Sequence, residues 1–309
     1  MPCSTPFLSP LDGTTFAEQA VPLAAAIAER TKATLNLVMV HPCAPAEDAP
    51  RPGTAADHDL RESEGIYLNR FMQFVAATYR VPVSEAVLDG AATGRTLVEY
   101  ARQRDIDLVV ASTHEHGIVG HFLSSGVARR LVHLLGASVL LVKPQVRGVP
   151  LSLDGGFDRI LVALDGSAQA EGALQPAMAL SSGEAARLTL MAVISGRGKT
   201  LAQRRAEAET YLEDLARQLQ QRGCRVETVV LFANNPATAI VRYAKEERLD
   251  LIALTTRPRG SAARTLFGST ADAIIRKAVM PVLICHAGRA ELHQAKSLHP
   301  GVPESLSAP

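Results

Sequence analysis

One long segment of this chain is written twice, and no other feature limits the fold as strongly. Asp107 to Val142 (DLVVASTHEHGIVGHFLSSGVARRLVHLLGASVLLV) runs in register, at a constant offset, with Asp250 to Cys285 (DLIALTTRPRGSAARTLFGSTADAIIRKAVMPVLIC). Asp107-Leu108-Val109 falls on Asp250-Leu251-Ile252, Thr113 on Thr256, Ala128 on Ala271, and Val139-Leu140-Leu141 on Val282-Leu283-Ile284. Upstream, Asp12-Gly13-Thr14 with Ala17, Glu18 and Ala20 falls on Asp165-Gly166-Ser167 with Ala170, Glu171 and Ala173. Solenoid repeats run only to about 50 residues, so a period this long describes one domain duplicated in tandem. The length of 309 residues agrees, at roughly 150 per domain.

Within the later copy, Leu251 to Leu254 is a short apolar run of the kind that forms a strand buried on both faces. A polar loop from Thr255 to Thr265 follows, and Gly268-Ser269-Thr270 sits where a helix should begin, with Ile274, Ile275 and Ala278 as its apolar face. Pro281 stops that helix, and Val282-Leu283-Ile284 makes another buried strand. The backbone N–H groups of such a helix start lack intrahelical partners and form an anion site, which glycine lets a phosphate approach closely.

In order along the first copy, Phe7 to Leu11 reads as a strand ending at Asp12, weakened by Pro10, which cannot donate to a ladder. Thr14 or Thr15 caps a helix whose face is Ala17, Ala20, Ala24, Ile27 and Ala28; Pro22, and Pro176 in the second copy, predict a kink. Thr34 to Val40 is a strand, His41 to Gly53 an exposed loop, and Ala55 to Tyr79 a helix burying Tyr67, Phe71, Phe74 and Val75. Val81 to Leu88 is the third strand, and a helix holding Leu97, Tyr100 and Ala101 leads to the strand opened by Asp107. The second copy repeats this, with strands at 159–164, 188–193 and 225–231 and helices at 167–181, 201–221 and from Pro236. Alternating strands and helices make an α/β fold, a doubly wound parallel sheet with its ligand crevice beyond the carboxyl ends of the strands. The expected domains are 1–146 and 157–288, joined by a Gly- and Pro-containing linker at 147–156 and followed by a loose tail at 289–309.

Composition removes several function classes. A net charge of +1 gives no bulk attraction to nucleic acid or to an anionic membrane. Aromatic content of 4% with no Trp leaves no stacking platform for single strands. Cys3, Cys43, Cys224 and Cys285 are scattered without zinc-ligand spacing and read as reduced thiols. No apolar run approaches a membrane span, and the N-terminus lacks the pattern of a secretory signal, so a cytoplasmic location is expected.

PLDGTTFAEQAVPLA and ILVALDGSAQAEGAL, each followed far downstream by a strand, a loop and a helix start, resemble the universal stress protein family in its tandem two-domain form. The resemblance covers nearly the whole chain apart from linker and tail. It implies two five-stranded parallel-sheet domains of the adenine nucleotide α-hydrolase-like type. A pseudo-two-fold axis would relate them, and they would pair through their last strands, Val139 to Val142 and Val282 to Ile284. A homodimer and an unidentified protein partner are also compatible with it.

Nucleotide-binding members carry Gly, two residues, Gly, nine residues, Gly, then Ser or Thr. The matching positions in the second half are Thr255, Pro258, Gly268 and Ser269; in the first half they are Ser112, Glu115, Ser125 and Gly126. Both depart from the pattern, the first half further, since Glu115 would put a carboxylate beside a triphosphate. By this resemblance, ATP or a related adenine nucleotide, with magnesium, would meet Ala163, Leu164, Asp165, Val193, Thr255, Thr256, Arg257, Gly268, Ser269 and Thr270. Asp165 would sit near the ribose or a phosphate-bound metal, and the Val193 backbone would read the adenine. A weaker counterpart in the first half would use Asp12, Val40, Ser112, Ser125 and Gly126.

Blander readings stand beside these. Gly268-Ser269-Thr270 can be an ordinary helix start, and Asp12 and Asp165 can cap their following helices. His114, His116 and His121 with Glu115 form a local cluster that could share a metal, although solvated loop histidines are commoner. No Ser-His-Asp order, P-loop lysine or H-E-x-x-H occurs, which disfavours an enzyme. The leading expectation is therefore a non-enzymatic stress-response factor. A nucleotide-free scaffold stands next, and a slow ATPase or a metal-binding variant behind it.

Overall fold

Strand and helix alternate along both halves of the computed structural model, which describes residues 5–43, 51–113, 127–143, 155–183, 186–194, 200–256 and 267–286. The first half contributes β1 (Phe7–Leu11), β2 (Leu35–Pro42), β3 (Val83–Gly90), β4 (Leu108–Ser112) and β5 (Ser138–Val142). The second contributes β6 (Arg159–Leu164), β7 (Arg187–Ile194), β8 (Arg225–Phe232), β9 (Leu251–Thr256) and β10 (Val282–His286). All ten form one sheet in the order β3-β2-β1-β4-β5-β10-β9-β6-β7-β8. Each half is thus a parallel unit of five strands, and its first and fourth strands lie side by side at the centre.

The halves meet where β5 and β10 pair antiparallel, Val282 opposite Leu141, Leu283 opposite Leu140 and Ile284 opposite Val139. An antiparallel join between two parallel units is what a pseudo-two-fold axis requires. Along this seam successive residues serve opposite layers, as a period of two demands. Leu140, Val142, Leu283 and Cys285 pack into one apolar cluster, and Val139, Leu141, Val282 and Ile284 into the other. Both clusters draw on both halves, so the two cores are continuous through the join.

The helices of the first half are α1 (Thr15–Glu18), α2 (Val21–Thr31), α3 (Ala55–Thr78), α4 (Thr93–Gln103) and α5 (Val127–Arg130), the last running into a π-helical turn at Leu131–Leu135. Those of the second are a 3₁₀ turn at Ala170–Ala173 with α6 (Leu174–Ala179), then α7 (Leu201–Gln221), α8 (Pro236–Glu246) and α9 (Ser269–Lys277). Thr14 caps α1 by accepting from the Ala17 N–H at 3.3 Å. Pro22 does not kink a continuous helix. It sits in the first turn of α2, where its missing N–H costs nothing, and the helix is broken before it. Pro176 behaves alike, with the 3₁₀ turn handing over to α6 just ahead of it.

Three further expectations need correction. His41 and Pro42 belong to β2 instead of an exposed loop, and His41 is buried. Phe74 is not on the buried side of α3; it is 62% exposed, while Leu68 and Val75 face the core. The end of the linker is also part of the fold. Phe157 is buried and bridges to Ser181, and Gly155 offers its carbonyl to Arg30. Pro10 has the expected effect: β1 aligns two residues with β4, whereas β6 aligns three with β9.

Side chains cross between the halves at several places. Arg30, on α2, donates to the carbonyls of Gly155 (3.2 Å), Ser181 (2.6 Å) and Ala179 (3.0 Å), which include the last turn of α6. The second-half equivalent of Arg30 is Gly183, so this clasp is one-sided. Near the seam, His133 and His286 stand edge to face with ring centroids 6.1 Å apart. Their equivalents, Arg276 and Lys143, meet through a 2.6 Å hydrogen bond from Lys143 Nζ to the Arg276 carbonyl.

Candidate functional site

The crevice of the second half opens where β6, β7 and β9 end, and the local sequence explains its shape. After Leu164 the chain turns through Gly166, at φ +80°. Asp165 Oδ1 accepts from the Ser167 N–H (3.1 Å) and hydroxyl (2.5 Å), and Ser167 Oγ accepts from the Ala170 N–H (3.3 Å). The Asp165 carboxylate is thereby fixed at the lip, one turn before the helical segment begins. Across the crevice, Gly268 is the N-cap of α9 at φ +104°, ψ 151°, a conformation essentially confined to glycine. Space is not the constraint, because an added Cβ would meet nothing within 4 Å. No side chain caps α9 at Gly268. Asp272 reaches back to the Phe267 N–H instead (3.1 Å).

Between these walls lies a cavity of about 330 Å³, at the small end of ligand sites, which run from about 300 to 1,000 Å³. Of the residues expected from sequence, Ala163, Leu164, Asp165, Val193, Thr255, Gly268, Ser269 and Thr270 all line it. Thr256 does not; as the next residue along β9 it faces the opposite side of the sheet, buried, with its hydroxyl unpaired among the described residues. Arg257 lies outside the described residues. The apolar floor, with Pro236, Ile240, Leu254, Phe267 and Ile274, was not anticipated. Leu254 and Phe267 directly precede named residues, and Pro236 starts the helix after the third strand, so adjacency to strand ends was the available signal.

The described lining residues include one carboxylate and no Lys or Arg. Attraction for an anion therefore comes from the start of α9, whose unpaired N–H groups and dipole favour negative charge. Tyr211 flanks this lip, donating to Glu171 Oε1 at 3.1 Å. Burial, Glu171 and Asp165 together hold its phenol protonated well above the usual range.

In the first half the same lip is repeated with different contents. Asp12 Oδ1 accepts from the Thr14 N–H (3.0 Å) and hydroxyl (2.6 Å), while its Oδ2 is buried without a partner among the described residues. Tyr67 donates to Glu18 Oε1 at 2.7 Å, matching Tyr211 and Glu171. Val40 lies near the end of β2, and Ser112 ends β4 with its hydroxyl buried and unpaired among the described residues. Ser125, Gly126, His114, His116 and His121 lie outside the described residues, and among those described no cluster of three or more His, Cys, Asp or Glu could hold a metal ion.

One feature of this half escaped the sequence reading. His41 is 3% exposed, with Nδ1 at 2.7 Å from Glu64 Oε2 and Nε2 at 3.1 Å from Asp57 Oδ1. The second half has Ile194 there. The Gly53 N–H and the His41 ring hold the Asp57 carboxyl below its usual range. This contact ties α3 to β2 beside the first-half crevice.

Comparison with known proteins follows the same lines. A profile of the universal stress protein family matches residues 5–143 and again 156–286. A protein of Staphylococcus haemolyticus (strain JCSC1435), described as a universal stress protein, is 30% identical over 138 residues, which is 41% of this chain and 84% of that protein. The crystal structure of a universal stress protein from Archaeoglobus fulgidus DSM 4304 superimposes with a TM-score of 0.70 and 18% identity, covering 92% of this chain and 96% of that one. One from Pseudomonas aeruginosa UCBPP-PA14, with a TM-score of 0.58 and 15% identity, covers 95% and 98%. At these identities the structural likeness speaks for the fold alone. No described helix is long and apolar enough to cross a membrane.

Proposed function

The chain belongs to the universal stress protein family, and on that premise we propose that its second half binds an adenine nucleotide, ATP or a close relative with magnesium. The protein would act without catalysis as a cytoplasmic stress-response factor, with the bound nucleotide biasing which protein partner it engages. One observation carries this reading: Asp165, Val193 and the glycine-started helix α9 converge on one crevice with an apolar floor.

Each group has a task there. The first N–H groups of α9, at Ser269 and Thr270, suit a phosphate, and Gly268 allows its close approach. The Asp165 carboxylate can accept from a ribose hydroxyl or face a phosphate-bound cation. The backbone at Val193 suits the adenine edge, with Ile240, Leu254 and Phe267 supplying apolar contact for the ring.

The test is direct. With no Trp and five Tyr, the protein absorbs weakly at 280 nm, so co-purified adenine would dominate its spectrum. Nucleotide recovered at close to one per chain, and a thermal shift with ATP and magnesium that Gly268→Val removes, are the expected results. A clean protein spectrum with no thermal shift would sink the proposal. The rival is a scaffold that binds no nucleotide, favoured by Thr255 at a position where binders carry glycine and by the lack of a cation among the described lining residues. A slow ATPase has less support, since no lysine or poised base faces the crevice among those residues. Product formation surviving Asp165→Ala together with Gly268→Val would mark a contaminant.

A further inference from the structure

Helix α3 carries an aromatic stripe for which the second half has no equivalent. Tyr67, Phe71 and Phe74 stack along it, with centroids 6.0 Å and 6.2 Å apart and planes 8° and 28° from parallel. Phe74 is 62% and Ile66 48% exposed, and with Ser63 and Arg70 these side chains line a shallow groove of about 470 Å³. Tyr67 and Tyr211 make matching hydrogen bonds, and Leu68 and Val75 are buried like Leu212 and Leu219, which fixes the alignment of α3 with α7. On that alignment Ile66, Arg70 and Phe74 correspond to Thr210, Asp214 and Gln218, all exposed and polar. Two helices share one core register, and only one bares an apolar face.

We propose that this face is where two copies of the chain pair, α3 against α3, antiparallel about a two-fold axis near the middle of the stripe. A two-fold contact must be self-complementary, and the spacing of the side chains makes it so. With the axis between residues 68 and 69, Ile66 of one copy meets Phe71 of the other. The small Ser63 lies opposite Phe74, and the Arg70 guanidinium falls on the Tyr67 ring, a favourable cation–π partner. The ends complement one another as well. Asp59, exposed in the second turn, would lie near Arg80, just past the end of the partner helix. The helix dipoles oppose. Arg70 and Asp59 are both exposed, so neither is already buried in the core.

A single helix pair falls at the low end of interface areas, below about 1,200 Å², so the dimer should be concentration-dependent. Sedimentation equilibrium of the full chain across the micromolar range, with reductant present because Cys43 is exposed, tests it. The wild-type mass should rise toward two chains with concentration. Phe74→Glu should weaken the dimer by at least about 30-fold, the scale of losing an interface hot spot. Arg70→Glu should weaken it less, and Gln218→Glu in the second half should leave it unchanged. Both altered side chains of α3 are exposed, and matching thermal melts will show that the variants are folded. A wild type that stays a single chain throughout overturns the proposal, as does a Phe74→Glu variant that dimerises like the wild type. So does a Gln218→Glu variant that loses the dimer.

Discussion

At equivalent positions the first half holds His41, Ser125 and Gly126 where the second holds Ile194, Gly268 and Ser269. Their sheets nevertheless follow the same order, and Tyr67–Glu18 and Tyr211–Glu171 repeat the same contact. The buried alternation of Val, Leu and Ile dictates the frame, which survives divergence because volume and pattern suffice to maintain it. The chemistry at the strand ends rests on very few residues and has drifted freely. In the second half a left-handed glycine keeps the helix start bare. In the first, a buried histidine between two carboxylates stiffens the neighbouring wall.

The sharpest way to break this comparison is at Gly268. A valine there must adopt a backbone conformation costing about 1–3 kcal/mol, and we expect nucleotide affinity to fall roughly 5- to 150-fold by titration calorimetry. Asp165→Ala should weaken binding about tenfold through lost charge-assisted contacts, while Asp12→Ala leaves it unchanged. Equal losses from the two aspartates would erase the distinction between the halves. Next comes Arg30→Gly, which copies Gly183 into the first half. Losing three charge-assisted hydrogen bonds across the halves should lower unfolding free energy by at least about 1.5 kcal/mol, the scale of one such bond, in denaturant titration.

His41→Ile, which copies the second half, should lower the thermal midpoint by roughly 2–4 °C, since Asp57 and Glu64 lose their shared partner. An unchanged midpoint would show the histidine clasp to be incidental. The smallest expected effect concerns pH. Burial, His286 and Arg129 hold His133 below the usual histidine range, so the unfolded chain binds that proton more readily than the folded one. The contact's stability is complete above about pH 6.5 and is lost as pH falls below it. His133→Gln should flatten that part of the stability profile, while Lys143→Gln, at the mirrored contact, should not.

The frame was legible because duplication shows each element twice. The helix Leu201–Gln221 and the strand Arg159–Leu164 have the ends their sequence implies, and β5 pairs with β10 as the resemblance implies. Eight of the ten residues expected at the second-half crevice line it, since loops at the ends of central strands must converge there. Thr256, the last residue of β9, lies outside the crevice because successive strand residues face opposite sides of the sheet. His41 was missed because a histidine next to Pro42 and an Ala- and Pro-rich run looks like a loop, and its acidic partners lie a helix away. Phe74 reads as a core residue in the sequence because helical periodicity does not distinguish a buried aromatic from the exposed one it is. Pro22 and Pro176 gave the right position and the wrong consequence, a helix start in place of a bend.

The antiparallel join of β5 to β10 has a consequence for how such a chain can exist at all. Cut at the linker, each half would keep four inter-strand pairings and lose the fifth, leaving a largely apolar strand as an open sheet edge. That edge would seek any matching copy, and assembly would depend on abundance. Holding both halves on one polypeptide replaces that dependence with a fixed, high effective concentration. It also guarantees that two unlike halves face each other, so their pockets and outer helices can specialise separately.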